Sequence, residues 1–472
     1  MTRCVKLSFG EGTEIVVPDS VNLITPYVLL EQRDWFEDEI RFLRRLLQPG
    51  QKVIDIGANY GVYTLSMATT VGSSGHVWAF EPASNTASIL AASITANSFA
   101  QVTLEQSALS SSCGAAQLTL SAHSELNSLA HDPTSNATTE TVALTTLDIA
   151  MARYDWRDIE FVKIDAEGEE SNILKGGARF FNEFSPLIQY EIKAGAKLNL
   201  ALVEEFAALG YQSFCLLPGF DLLIPFETAS AHDPYLLNLF CCKQDRLAML
   251  ADKGLLLRST THQLPTDLAE LTRYFDTESR HQYRWRSTLA TLPYGAQLNA
   301  SWTASSAQTR RNEVDIALAL YALSADVSAS PHERFAALQH SFALLENLCE
   351  RDASSTRLAS LARVARDYGA RSVAIKALAK LVMMIEAGER IDTSEPFLPP
   401  EARFDNIPPN EAIDAWVEAA VLEAAERLRS YSSFYTGESS RKHLLRIKAL
   451  GFGSAEMDRR LRLLELRFNK PA

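Results

Sequence analysis

The sequence predicts an α/β fold, a Rossmann-like doubly wound sheet, followed by an all-α C-terminal domain. Three observations carry that expectation. From residue 50 to about 242, short β-rich runs alternate with helical stretches, the pattern of a parallel sheet covered by helices. A glycine-bearing turn follows the first of those runs directly. After about residue 250 the strand signals stop, and amphipathic segments take over. With 472 residues the chain exceeds what one hydrophobic core normally serves. The expected division is an N-terminal segment 1–49, an α/β domain 50–245 and a helical domain 250–472.

The β-rich runs are Lys52–Ile56, His76–Phe80, Val102–Gln106, Phe161–Ile164, Leu187–Glu191, Gln212–Leu217 and Leu236–Cys242. Ser121 to Thr141 is rich in Ser, Thr, Asn and His with little periodicity, which predicts an exposed loop placed to lie over an active site. In the second half, helical periodicity covers Arg334–Glu350, Thr356–Arg366, Arg371–Glu386, Ala412–Leu428 and Glu456–Phe468. Thr356 to Glu389 has a helix, glycine turn, helix layout of tetratricopeptide type, without three copies at a fixed period. Glu395 to Pro409, rich in proline and apolar side chains, reads as an ordered connection between helices.

Composition narrows the function classes. Hydrophobic residues at 47% and charged residues at 22% describe a globular protein with real cores. A net charge of -13 opposes nucleic acid as the main partner, since counterion displacement needs clustered Lys and Arg. The six cysteines form no CxxC pair and stand at no metal-ligand spacing, so reduced packing thiols are expected. The first residues lack the apolar core of an export signal, and no uncharged run approaches the ~18 residues that cross a bilayer. A cytoplasmic location is the resulting expectation.

The most informative segment is VIDIGANYGVYTLSMA, starting at Val53. A buried strand carries Asp55, the chain turns through Gly57, and Asn59 and Gly61 lead into a helix near Tyr63, a nucleotide-site geometry without the GxGxxG of nicotinamide enzymes. HVWAFEP then places Glu81 at the end of the next strand, where an acid accepts hydrogen bonds from ribose hydroxyls. A helical run ends at Asn97, and the third strand leads to Ser107 and Ala108, near an expected adenine. Next come TTLDIA, with Asp148, and FVKIDAEGEESNILKGG, which delivers Asp165 and Glu167 to the carboxyl edge of the sheet. Residues two apart in an extended segment point the same way, so both carboxylates are expected in one cleft.

Together these blocks, closed by a strand ending in glutamate (YEI, with Glu191), resemble the FkbM family of S-adenosylmethionine-dependent methyltransferases over roughly residues 30–242. Ala166 replaces the family's usual valine, which leaves the carboxylates in place. The resemblance implies a class I methyltransferase fold, S-adenosylmethionine as cofactor, and O-methylation of a sugar or polyketide hydroxyl. On that reading Asp55, Gly57, Asn59, Gly61, Glu81, Asn97, Ser107, Ala108 and Asp165 bind the cofactor. Glu167 is the expected base, Asp165 holds the cofactor's amino end or the loop, and Glu191 is the second candidate base. The same three acids suit Mg²⁺ if they converge. Trp156, Tyr190 and Phe220 offer faces for a sugar ring, with core packing as the alternative. The expected partners are a sugar, glycan or other hydroxyl-bearing acceptor, with a glycosyltransferase or a second copy of the chain docking on the C-terminal helices. Two alternatives stand beside this: an inactive methyltransferase-fold scaffold, or an enzyme acting on a polyketide or other small metabolite.

Overall fold

A computed structural model describes residues 3–468 apart from 11, 122, 125–126, 130–137, 195–196, 262–263, 306–308 and 410–411. The chain starts with a hairpin, β1 (Cys4–Phe9) and β2 (Thr13–Pro18), and two helices, α1 (Ile24–Gln32) and α2 (Asp38–Leu46). Alternation along β2 buries Ile15 and Val17 while Glu14 and Val16 stay half-buried, the signature of a strand with one covered face. Two βαβ steps follow: β3 (Lys52–Ile56), α3 (Val62–Val71), β4 (His76–Phe80), α4 (Ser84–Ala96) and β5 (Val102–Glu105). Every residue of β3 and β4 after the first is buried, as strands covered on both faces require.

The chain next builds a separate sheet from β6 (Ala108–Leu109), β7 (Gly114–Thr119), β8 (Ser128–Leu129) and β9 (Thr139–Thr145), in the order β6-β9-β7-β8. The predicted loop Ser121–Thr141 therefore contains β8 and the start of β9; the rest of it lies partly outside the described residues. This sheet escapes a periodicity search because of its small core: Leu118 and Val142 meet Ala83 there, and most other positions of β7 and β9 are solvated.

Helix α5 (Leu147–Arg153) is capped by Thr146, whose hydroxyl accepts the Ile149 N–H. The chain re-enters the main sheet as β10 (Phe161–Ile164), α6 (Glu170–Gly176), α7 (Ala178–Glu183) and β11 (Leu187–Glu191). It continues through the short pair β12 (Lys193–Ala194) and β13 (Lys197–Leu198), then α8 (Leu200–Ala208), β14 (Gln212–Leu217), β15 (Leu222–Pro225), β16 (Asn238–Cys242) and α9 (Gln244–Asp252). The eight strands of the main sheet lie in the order β15-β14-β16-β11-β10-β3-β4-β5. β3, β4, β5, β10 and β11 are parallel, and β16 runs antiparallel to β11 and β14. From β3 the chain winds one way through β4 and β5, then returns to β3's other edge at β10. The carboxyl ends of β3 and β10 are thus a topological switch point, where doubly wound sheets form their ligand crevice. One face of the sheet packs on the N-terminal hairpin, α2 and α3 through residues such as Val53, Phe161 and Phe240; the other packs on α5 to α8 through Ile54, Val162 and Ile188.

Two compact units emerge, one of Met1–Leu216, Leu223–Arg258 and Glu465–Ala472, the other of Leu217–Leu222 and Ser259–Leu464. The second unit is helical: α10 (Leu268–Phe275), α11 (Pro293–Ser305), α12 (Thr309–Ala325), α13 (Pro331–Arg351), α14 (Ser355–Tyr368), α15 (Arg371–Glu386), α16 (Ile413–Arg429), α17 (Ser433–Thr436), α18 (Glu438–Ala449) and, as far as Leu464, α19 (Ala455–Phe468). Each of α12 to α16 packs on its sequence neighbour. Ser330 and Ser354 cap α13 and α14, and Gly369 closes α14 in the left-handed conformation. The proline-rich stretch after α15 is ordered, burying Phe397, Leu398 and Phe404 and receiving Arg357 on Glu395 through bonds of 2.9 and 2.9 Å. Among the described residues no helix is long and apolar enough to cross a membrane.

Candidate active site

The turn after β3 is shaped by close backbone approach. Gly57 has φ +79°, and a Cβ there would lie 1.7 Å from the Asp165 carbonyl oxygen, so only glycine lets the β3 and β10 ends sit side by side. Asn59 takes a left-handed φ of 48°, which asparagine tolerates better than most residues. Its Oδ1 accepts the Tyr60 N–H at 2.8 Å and the Ser124 hydroxyl at 2.9 Å, joining the loop to the second sheet. Gly61, at φ +92°, starts α3; a Cβ there would meet Leu90 Cδ1 at 2.3 Å. The left-handed backbone favours glycine here, and the Leu90 side chain lies against the same position.

Asp55 is fully buried in β3. Thr64 donates to its Oδ2 at 2.5 Å, whereas its Oδ1 is buried with no hydrogen-bond partner. Burial raises its pKa, opposed by the charge of Lys163. Glu81 accepts the Ala83 N–H on Oε1 and the Asn59 N–H on Oε2, both at 2.9 Å, and each oxygen keeps a lone pair for a further donor. Ser107, between β5 and β6, presents a buried hydroxyl with no partner, beside buried Ala108. Orphaned buried polar atoms are rare in native folds, so Asp55 Oδ1 and Ser107 Oγ fit a polar ligand seated on these strand ends.

Burial pushes Glu81 from an ordinary value near 4.5 up to about 7. The folded state then binds a proton that the unfolded state has released, so this carboxyl's contribution to stability is full below about pH 4.5 and is lost as pH rises through about 7. Thermal midpoints between pH 5 and 8 should therefore fall with a shallower slope in Glu81→Gln than in the wild type. Parallel slopes would remove Glu81 from this role.

At the carboxyl edge of β10 and β11, the ligand oxygens of Asp165, Glu167 and Glu191 lie within 4.8 Å of one another. The segment that aligns Asp165 with Glu167 is not the extended one that the spacing predicts. The structure uses a turn instead, with Glu167 at φ 48° and Gly168 at φ 99°. Glu170 holds that turn, its Oε1 accepting the Ala166 N–H at 3.1 Å and the Gly168 N–H at 3.3 Å. Burial, then the charges of Asp165, Glu167 and Glu170, push Glu191 up to about 9.

Beneath the cluster lies a polar row that the sequence reading missed. Lys163 stands in register between Asp55 on β3 and Gln189 on β11, and its ammonium donates to Asp165 Oδ2 at 2.7 Å. Tyr63 donates to Glu37, at the start of α2, and accepts from Gln189 Nε2 at 3.2 Å. Asn238, opposite Glu191, donates to Glu39 at 3.4 Å, and burial followed by Glu37 pushes Glu39 up to about 7. The available signal was that polar Lys163 and Gln189 interrupt otherwise apolar strands.

Among the expected cofactor ligands, Asn97 is a correction. Helix α4 returns antiparallel to β4, which puts Asn97 at the amino edge of the sheet, away from the crevice. Its side chain binds backbone there, accepting the Glu14 N–H at 2.9 Å and donating to the Glu14 and Ser93 carbonyls at 2.5 and 2.8 Å. Trp156 and Tyr190 are buried core residues with no face for a sugar, and Phe220 is covered by the Arg334 guanidinium at 4.6 Å.

Residues 55–213 match the family described as the methyltransferase FkbM domain. No curated protein matches the chain. Similar solved structures include a methyltransferase FkbM from Methylobacillus flagellatus, at 17% identity and TM-score 0.30, over 46% of this chain and 47% of that one. A SAM-dependent O-methyltransferase from Thermotoga maritima is similar at 14% identity and TM-score 0.26, over 51% and 77% of the two chains. An rRNA methylase from Streptococcus thermophilus is similar at 10% identity and TM-score 0.25, over 43% and 93%. The fold rests on strand order and register, not on these likenesses.

Proposed function

We propose that this chain, whose residues 55–213 are a methyltransferase domain of the FkbM family, is an S-adenosylmethionine-dependent O-methyltransferase acting on a hydroxyl of a sugar, glycan or glycolipid precursor. The observation that carries the reading is the meeting of Asp165, Glu167 and Glu191 beside the Gly57 turn, at the switch point of the sheet. Such an arrangement puts proton-accepting groups next to a crevice with unsatisfied polar atoms. Asp55, Asn59, Glu81, Ser107 and Ala108 are the residues that would hold the cofactor, on strand ends that the Gly57 turn keeps side by side. S-adenosylmethionine supplies a methyl group activated by a positive sulfur.

The chain's own part is to orient the acceptor and take its proton. Glu167 is the base of this proposal: it stands half-buried on a turn beside a carboxylate partner, and a carboxylate in hydrogen-bond reach removes the proton as the new bond forms. Asp165 is held by Lys163 and braces the turn. Glu191, pushed up to about 9, keeps its proton near neutrality and donates a hydrogen bond to the acceptor in place of a base role. A second reading is favoured by the 4.8 Å cluster itself, whose three oxygens would hold Mg²⁺ as a positioning ion for acceptor hydroxyls.

The test is a calorimetric titration of the full chain with S-adenosylhomocysteine, with and without Mg²⁺, followed by a panel of sugar, polyketide and small-metabolite hydroxyl acceptors. Micromolar binding is expected, reduced at least tenfold in Asp55→Ala. No binding by the wild type would favour the inactive scaffold, and full affinity in Asp55→Ala would dismiss this placement of the cofactor. Tighter binding or turnover only with Mg²⁺ would favour the ion.

A further inference from the structure

Lys163 is a buried charged side chain that takes no part in the proposed proton transfer. It is 4% exposed, its ammonium lies 2.7 Å from Asp165 Oδ2, and it sits 4.8 Å from the centroid of the Tyr63 ring. Carboxylates face it from three elements: Asp55 on β3, Asp165 at its own strand's end, and Glu37 at the start of α2. Glu191 lies within its electrostatic reach, among Asp165, Glu167 and Glu170. Burying an ammonium costs several kcal/mol unless it is well paired, and a methionine of similar length would fill the same space. The pleat also fixes where the charge points, because Lys163 is locked in register between Asp55 and Gln189.

We propose that Lys163 is a positioning residue that anchors the Asp165 carboxylate and sets the net charge of the crevice, and thereby how strongly the site prefers a sulfonium-bearing ligand to its neutral thioether product. This rests on the methyltransferase reading. A crevice lined by carboxylates alone would hold a sulfonium tightly in the ground state, where its charge is greatest; one buried cation weakens that grip while leaving neutral product little affected. Across several ångströms of partly buried protein, one charge changes such a preference by about tenfold.

The experiment measures dissociation constants of S-adenosylmethionine and S-adenosylhomocysteine by calorimetry, in EDTA, for wild type, K163M and K163R. In K163M the preference for S-adenosylmethionine should rise about tenfold, while K163R keeps the wild-type ratio. Equal weakening of both ligands in K163M, with an unchanged ratio, would make Lys163 a packing residue and overturn the assignment. If K163M does not fold, D165N and K163M/D165N replace it, since the double variant no longer leaves Asp165 charged without a partner. A double-variant ratio shifted toward S-adenosylmethionine relative to D165N supports the assignment, and identical ratios overturn it. Failure of the wild type to bind either ligand would instead overturn the methyltransferase reading on which the assignment stands.

Discussion

Glu167→Gln should slow methyl transfer by about 10²–10⁴-fold while S-adenosylhomocysteine affinity stays within about threefold of the wild type. The substitution keeps side-chain length and the φ of 48° at that turn, so the turn is no more strained than before. What it removes is a proton acceptor within a cluster whose ligand oxygens lie inside 4.8 Å. It also relieves repulsion with Asp165 and Glu191, so the thermal midpoint should hold or rise. Single-turnover kinetics with the best acceptor of the panel check the rate. A loss below tenfold would move the base role to another member of the cluster. If Mg²⁺ occupies the site, the loss should appear instead as weaker metal affinity and be partly recovered at high Mg²⁺.

Gly57→Ala should destabilise the protein by at least ~3 kcal/mol and abolish measurable cofactor binding. Two costs add there. Alanine at φ +79° is strained, and its Cβ would lie 1.7 Å from the Asp165 carbonyl oxygen. The opposing atom is backbone of β10's end, so no rotamer change relieves the clash. Separation of β3 from β10 is the way out, and it would pull the Asp165 and Glu167 turn away from the strand end bearing Asp55. Chemical denaturation and calorimetry measure the two effects separately. A variant of wild-type stability would mean that the β3 and β10 ends tolerate separation, and that the turn owes its glycine to something other than this contact.

Much of the first unit was legible because its signals are local. β3, β4, β10 and β11 are short apolar runs between turn residues, and each appears within a residue of its predicted bounds. Gly57, Asp55 and Glu81 were readable for the same reason, as each sits at a strand end or in the turn that follows. The second sheet was not readable, since β7 and β9 bury few side chains and owe their conformation to pairing across the intervening chain. Asn97 was misplaced because a polar residue ending a helix says nothing of which edge of the sheet that helix returns to; antiparallel α4 carried it to the amino edge, onto Glu14. Gly61 was readable as a helix-entry glycine, while its contact with Leu90 on α4 forms only in the folded chain.

By itself the sequence determined the alternation of strands and helices, the helical second half, and the residue types at the strand ends, because periodicity and turn chemistry act over a few neighbouring positions. Only the tertiary structure decided that Asp165, Glu167 and Glu191 meet, and that Lys163 lies between Asp55 and Gln189 with Glu37 and Tyr63 close by. Those relations depend on strand order, register and the packing of α2 onto the sheet. They are set by which buried faces fit together across the whole unit, and no short stretch of sequence carries that information.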